Sequence, residues 1–185
     1  MAASQEDLWR FLDTLGIMTR TATHAPLHTV EESQALRGEI AGAHTKNLFL
    51  KDKKDALFLV VAREDAAIDL KRLHEKIGAS GRLSFGKPDL LLETLGVTPG
   101  AVTAFGAIND RTGRVAVVID AGLIESAEVN CHPLVNTATT TIASADLLAF
   151  LRATGHEPRI VAFDGPAGGG PEAADALPTG THDPI

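Results

Sequence analysis

The chain is poor in features that would announce a familiar chemistry or compartment. Cys131 is its single cysteine, so no internal disulfide can form. No run approaches the roughly 18 apolar residues of a membrane span. The opening Met1-Ala2-Ala3-Ser4-Gln5-Glu6-Asp7 lacks the basic stretch and apolar core of a secretory leader. A cytoplasmic address without membrane attachment is the expectation. There is no P-loop, no dinucleotide-binding fingerprint and no internal repeat. Gly81-Arg82-Leu83-Ser84-Phe85-Gly86 has one residue too many before its serine for a nucleophile elbow, so the tight turn that motif needs is missing. Cys131-His132 has no second pair at zinc spacing, and neither a metal nor another cofactor is expected.

What the chain does have is enough apolar material for one domain: 185 residues, 44% of them hydrophobic. Its net charge of −7 argues against a general nucleic-acid binder, but the charge is unevenly spread. Residues 46–87 hold ten Lys/Arg against six Asp/Glu, a local surplus of four that leaves −11 on the remainder. Lys51, Lys53, Lys54, Lys71, Arg72 and Lys76 are the candidates for holding a short phosphate backbone, with salt-sensitive affinity. A merely solvated turn and helix face is the alternative.

Helices and strands alternate without a strict βαβ rhythm. Ser4-Gln5-Glu6-Asp7 is a capping pattern ahead of Leu8, Phe11, Leu12 and Leu15, and Gly16 closes that helix. A second capping box, Thr29-Val30-Glu31-Glu32, predicts a helix to about Leu36. Residues 45–50 and 56–62 read as a hairpin, 66–77 as a helix, 82–85 as a short strand, and 88–95 as a helix with Pro88 in its first turn. Residues 115–119 are the cleanest buried strand. A strand broken at Pro133 and the β-branched run 139–142 follow, then a helix capped by Ser144 and a last strand over 159–163. The mixture predicts an α+β fold over 1–163. Residues 164–185 are Gly/Pro/Ala-rich, carry four acids and no Lys or Arg, and are expected to form a disordered tail.

Two constellations carry candidate chemistry. In Thr45-Lys46-Asn47-Leu48-Phe49-Leu50, strand alternation places Lys46 with Leu48 and Leu50, and Asn47 with Phe49. A lysine pointing with leucines is costly unless its ammonium finds a partner or a wet cavity. Periodicity leaves it between a snorkelling structural lysine and a site. In Cys131-His132-Pro133-Leu134-Val135-Asn136, the proline holds His132 extended and interrupts the ladder. His132 and Asn136 are either pocket donors or local turn-formers. Cys131 is either a nucleophile or a small buried hydrophobe.

These residues resemble the YbaK-type aminoacyl-tRNA editing family. The pattern is His24-x-Pro26, Glu32, Thr45-Lys46-Asn47-Leu48-Phe49-Leu50, Leu95-Gly96-Val97-Thr98-Pro99-Gly100-Ala101-Val102, Phe105-Gly106, His132-Pro133-Leu134-x-Asn136 and Asp146-Leu147. It is most similar to the freestanding prolyl-tRNA editing proteins. The resemblance implies a curved, mixed, partly barrel-like β-sheet surrounded by helices. It also implies a hydrolase clearing alanyl-tRNA(Pro), with mischarged tRNA(Pro) as partner and prolyl-tRNA synthetase as a second candidate. It assigns catalytic roles to Lys46, Asn47 and His132, and substrate contacts to Gly100, Ala101, Val102, Thr103 and Asn136. Ala104 stands where the family's Gly-x-x-x-Pro loop has its proline. A cysteinyl-tRNA(Pro) deacylase and a non-catalytic nucleic-acid-binding module are the rival expectations.

Overall fold

The computed structural model describes residues 1–26 and 40–164. The helix expected from Thr29 and the tail beyond Asp164 lie outside the described residues. Eight strands are described: β1 (Thr19–Thr23), β2 (Ala43–Lys51), β3 (Leu57–Arg63), β4 (Ser84–Phe85), β5 (Val115–Asp120), β6 (Glu128–Cys131), β7 (Ala138–Ala143) and β8 (Arg159–Val161). They form one mixed sheet in the order β1-β7-β6-β2-β3-β5-β8, with β4 attached to β2. The β2–β3 hairpin is antiparallel, whereas β6 joins β2, β5 joins β3 and β8 joins β5 in parallel. The expected α+β sheet with flanking helices is what the chain builds.

Helices α1 (Gln5–Thr14), α2 (Leu73–Ile77), α3 (Pro88–Leu95), α4 (Ala121–Ile124) and α5 (Ser144–Ala153), with a 3-10 helix over Ala104–Asn109, cover the sheet. The capping box of α1 forms as its sequence demands: the Asp7 amide donates to Ser4 Oγ, and the Ser4 amide donates to Asp7 Oδ2. Leu8 and Leu12 then enter the larger core, where each contributes about 1.5–3 kcal/mol by burial. Phe150 of α5 meets Phe11 and Phe105 edge-on, with ring centroids 5.8 and 5.3 Å away. That aromatic junction locks α1, α5 and the 3-10 helix over one face. A smaller core of Leu50, Phe58, Val60, Leu73, Ile77 and Val118 lies on the other. Among the described residues no helix is long and apolar enough to cross a membrane.

Two expectations need correction, and one helix had no expectation behind it. The helix expected over 66–77 forms only from Leu73. Ahead of it the Ala67 amide bonds to Asp164 O at 3.2 Å, and Asp69 Oδ1 takes the Lys71 amide at 3.0 Å, a local turn that competes with the helix. Ser144 does not cap α5; it is the first helical residue, and Ala143 occupies the cap position. The short α4 has little periodicity to reveal it; Asp120 starts it by accepting the Gly122 amide at 3.0 Å.

Candidate active site at a gap in the sheet

One edge of β2 serves two partners and leaves a space between them. Backbone groups of alternate residues in an antiparallel pair face opposite edges. His44 O accepts the Glu64 amide, so even-numbered residues of β2 face β3; Phe49 O accepts the Gly86 amide, so odd-numbered ones face the other edge. On that edge β6 pairs with Ala43 and His44, and β4 pairs with Leu50 and Lys51. Asn47 falls between both ladders. Its backbone N–H and C=O therefore open onto the gap.

The Asn47 side chain is also incompletely bonded. Its Nδ2 reaches Thr45 Oγ1 only at 3.5 Å, and its enclosed Oδ1 has no partner among the described residues. An orphaned buried acceptor costs roughly 1–3 kcal/mol, and such a cost persists where a ligand supplies the missing donor. Thr45 anchors the near side by donating to Asn130 O at 2.8 Å. Lys46 points away from Asn47, toward the smaller core, where its Nζ donates to Ala66 O at 2.6 Å. The carbonyl answers the cost of a half-buried ammonium and leaves two of its three protons for other acceptors. The structure thus puts Asn47 and Lys46 on adjacent positions but opposite faces of β2.

The turn between β6 and β7 supplies His132 and Asn136. Leu134 has a left-handed φ of +67° and donates its amide to His132 O at 2.9 Å, closing a tight turn around Pro133. Such backbone is strained for a branched residue, by about 1–3 kcal/mol, and here the buried Leu134 side chain offsets it in the larger core. His132 Nδ1 lies 3.1 Å from Ala138 O. A carbonyl can only accept, so Nδ1 carries the proton, and Nε2 of the neutral ring presents a lone pair. Nε2 has no partner among the described residues and is not enclosed. Burial holds the His132 imidazolium form below its usual range, the nearby His24 lowers it further, and the Ala138 carbonyl opposes both.

His24, noted in the sequence only as part of a motif, is tied to the same strand. Its amide donates to Thr137 O at 2.9 Å, and its Nε2 lies 2.9 Å from Thr139 Oγ1. Both histidines are thus held by residues 137–139. Gly100 adopts φ +88° in a turn where the Ala101 amide bonds to Thr98 O at 3.0 Å, with Pro99 preceding it. A methyl group added at Gly100 would sit 3.7 Å from Asn136 Nδ2, which brings the two loops together. Val102 is half-buried, whereas Ala101, Thr103 and Ala104 are enclosed. Thr103 Oγ1 accepts the Phe105 amide at 3.3 Å and caps the 3-10 helix. Ala104 is therefore a first helical position, where the missing proline would have been compatible. Cys131 is enclosed and its thiol pushed up to about 12 by burial, leaving no thiolate for nucleophilic attack at neutral pH.

Of the cations expected to meet phosphate, Lys51 pairs with Asp55 at 2.6 Å, Arg72 with Glu75 at 3.2 Å and Lys76 with Asp164 at 3.7 Å. Lys53, Lys54 and Lys71 are exposed and have no ion pair among the described residues.

The model of the aminoacyl-tRNA editing domain family matches residues 24–150, a span that contains the sheet gap, both histidines and the Gly100 turn. The chain belongs to this family. It is 40% identical over 162 residues to prolyl-tRNA synthetase associated domain-containing protein 1 of Danio rerio, covering 86% of this chain and 88% of that one. It is 41% identical over 146 residues to the prolyl-tRNA editing protein ProX of Acetoanaerobium sticklandii, covering 78% and 88%. A crystal structure described as a candidate trans-editing enzyme for prolyl tRNA synthetase shares the fold, with a TM-score of 0.65 at 20% identity over 88% of this chain and 98% of that one. The editing domain thus accounts for the fold and for the joint appearance of its two motifs.

Proposed function

We propose that the chain is a trans-acting aminoacyl-tRNA deacylase that hydrolyses alanyl-tRNA(Pro) to free alanine and tRNA(Pro), working in the cytoplasm beside prolyl-tRNA synthetase. The observation that carries this reading is the Asn47 gap, with an open backbone and an orphaned side-chain acceptor at the heart of an editing-family domain. An aminoacyl ester is already activated, so the site need only place a water and stabilise the oxyanion of the tetrahedral intermediate. The Asn47 amides and the backbone around Gly100 and Val102 supply donors. Asn47 Oδ1 accepts from the substrate's α-ammonium or a ribose hydroxyl, and Asn136 closes the far side. The lone pair on His132 Nε2 orients the attacking water. Water adds to the carbonyl carbon, the bond to the ribose oxygen breaks, and the proton passes to that oxygen. Lys46 acts as a positioning cation for the terminal nucleotide, not as a base.

Selection of alanine over proline is steric: a pocket beside the Gly100–Val102 turn refuses the ring, the second sieve of an editing pathway. A panel of alanyl-, cysteinyl- and prolyl-tRNA(Pro) tests the reading. Release of alanine with turnover, and no release of proline, is the expected result. Preferential release of cysteine would reassign the substrate, and protection of every ester would make the protein a binding module.

A further inference from the structure

The second partner on the edge of β2 carries an unexplained aromatic. Strand β4 consists of Ser84 and Phe85, and Phe85 is 62% exposed. Leu83 packs against the smaller core, so burial was available to this segment, yet the phenyl ring stays in water. The ring's support is firm. The Gly86 amide bonds to Phe49 O at 2.9 Å, and a methyl group at Gly86 would come within 2.3 Å of the Phe49 ring. Glycine is required there for the strand to lie this close.

The surroundings are cationic. Arg82 and Lys87 flank β4, are exposed and have no ion pair among the described residues. Across the pairing lies Lys51, and the stem of Lys53 runs against Gly81. The neighbouring acids are largely engaged: Asp52 accepts the Lys54, Ala56 and Ser80 amides, and Asp55 is paired with Lys51. Asp89 sits in the first turn of α3, where helix amides favour it. An exposed ring among free cations suits a polyanion with π-faces.

Position adds the second half of the argument. Phe85 pairs with Leu50, three positions along β2 from Asn47, and so shares the face of Lys46. The separation is within roughly 15 Å at about 3.3 Å per strand residue, which a few nucleotides cover at about 3.4 Å each in a stacked strand. Resting on the deacylase reading, we propose that Phe85, with Arg82 and Lys87, is a stacking platform for an unpaired nucleotide next to the ester-bearing end of the RNA. It binds by a base face and neighbouring phosphates, without reading a base edge.

The test is binding of uncharged tRNA and of a blunt RNA duplex, by fluorescence anisotropy, to the full chain and to Phe85→Leu, Phe85→Trp and Lys87→Ala. Phe85→Leu should weaken tRNA binding roughly 5- to 100-fold, the range supplied by one base–aromatic stack. Phe85→Trp should retain it, and the blunt duplex should be indifferent to both. Lys87→Ala should lower the slope of log affinity against log salt by about one. Wild-type affinity in Phe85→Leu would overturn the platform while leaving the deacylase reading intact. A change of oligomeric state in that variant with RNA affinity unchanged would make Phe85 a contact between proteins. Failure of the wild type to bind tRNA would sink the deacylase reading and the platform together.

Discussion

Two polar clusters built from similar residues end in opposite conditions. Around Asp110, every group is answered. Its carboxylate takes the Arg114 amide at 3.0 Å, the Val115 amide at 2.8 Å and His156 Nε2 at 3.0 Å, while His156 Nδ1 lies 2.9 Å from Thr154 Oγ1. Burial alone would raise the Asp110 carboxyl, but the bonds from His156 and the two amides outweigh it and hold it below the usual carboxylate range. At the sheet gap, among the described residues, Asn47 Oδ1 has no partner, its backbone faces no strand, and His132 bonds only through Nδ1. Completeness of hydrogen bonding separates the two: the first cluster fastens the end of α5 to the β5 approach, and the second stays open, as the proposed ligand site requires.

The contrast can be broken most sharply at Asn47. Asn47→Ala should lower kcat/KM by about 10²–10³-fold, the cost of removing an oxyanion-type donor. Because the change also removes an orphaned acceptor, the melting temperature should hold or rise. The same change at the closed cluster should do the reverse. Asp110→Ala leaves His156 and two amides unpaired and should cost about 3 kcal/mol of stability, read by denaturant unfolding. Turnover per folded molecule should stay near wild type.

Lys46→Ala sharpens the comparison from the other face of β2. A positioning cation worth about 1.4 kcal/mol would appear as roughly a tenfold loss of kcat/KM, carried mainly by KM. Undiminished turnover would remove Lys46 from the mechanism. The smallest effect is on pH. With its proton affinity depressed from the ordinary value near 6.5, His132 is neutral in the folded protein where the unfolded chain has begun to bind a proton. Its contribution to stability is present above about pH 6.5 and lost on acidification. Turnover follows the folded group, so it should stay flat through that pH and fall only further to the acid side, and His132→Gln should remove the acid limb.

Much of the framework was legible because its signals are local. The Ser4 box of α1, Pro88 at the start of α3 and Gly96 with φ +66° at its end are each decided within a few residues. The 66–72 segment misled because its apolar spacing suits a helix, while Ala67 is drawn off by Asp164 far along the chain. The candidate site was half legible. Lys46, Asn47 and His132 could be chosen from face and motif, yet the gap exists only because β4 and β6 share one edge of β2. Likewise His24 and His132 meet only through residues 137–139, a pairing no spacing rule can show. That Lys46 and Asn47 take opposite faces of the sheet followed from strand alternation alone; that Lys46 Nζ reaches Ala66 O did not.

The central claim is that this gap holds the ester of a mischarged tRNA. Its most direct test is single-turnover deacylation of alanyl-tRNA(Pro) by the wild type and Asn47→Ala, side by side with their melting curves. The account predicts rapid alanine release by the wild type and a loss of about 10²-fold or more in a variant at least as stable. A variant that melts earlier yet deacylates at the wild-type rate would show the gap to be a structural feature, and would contradict the account.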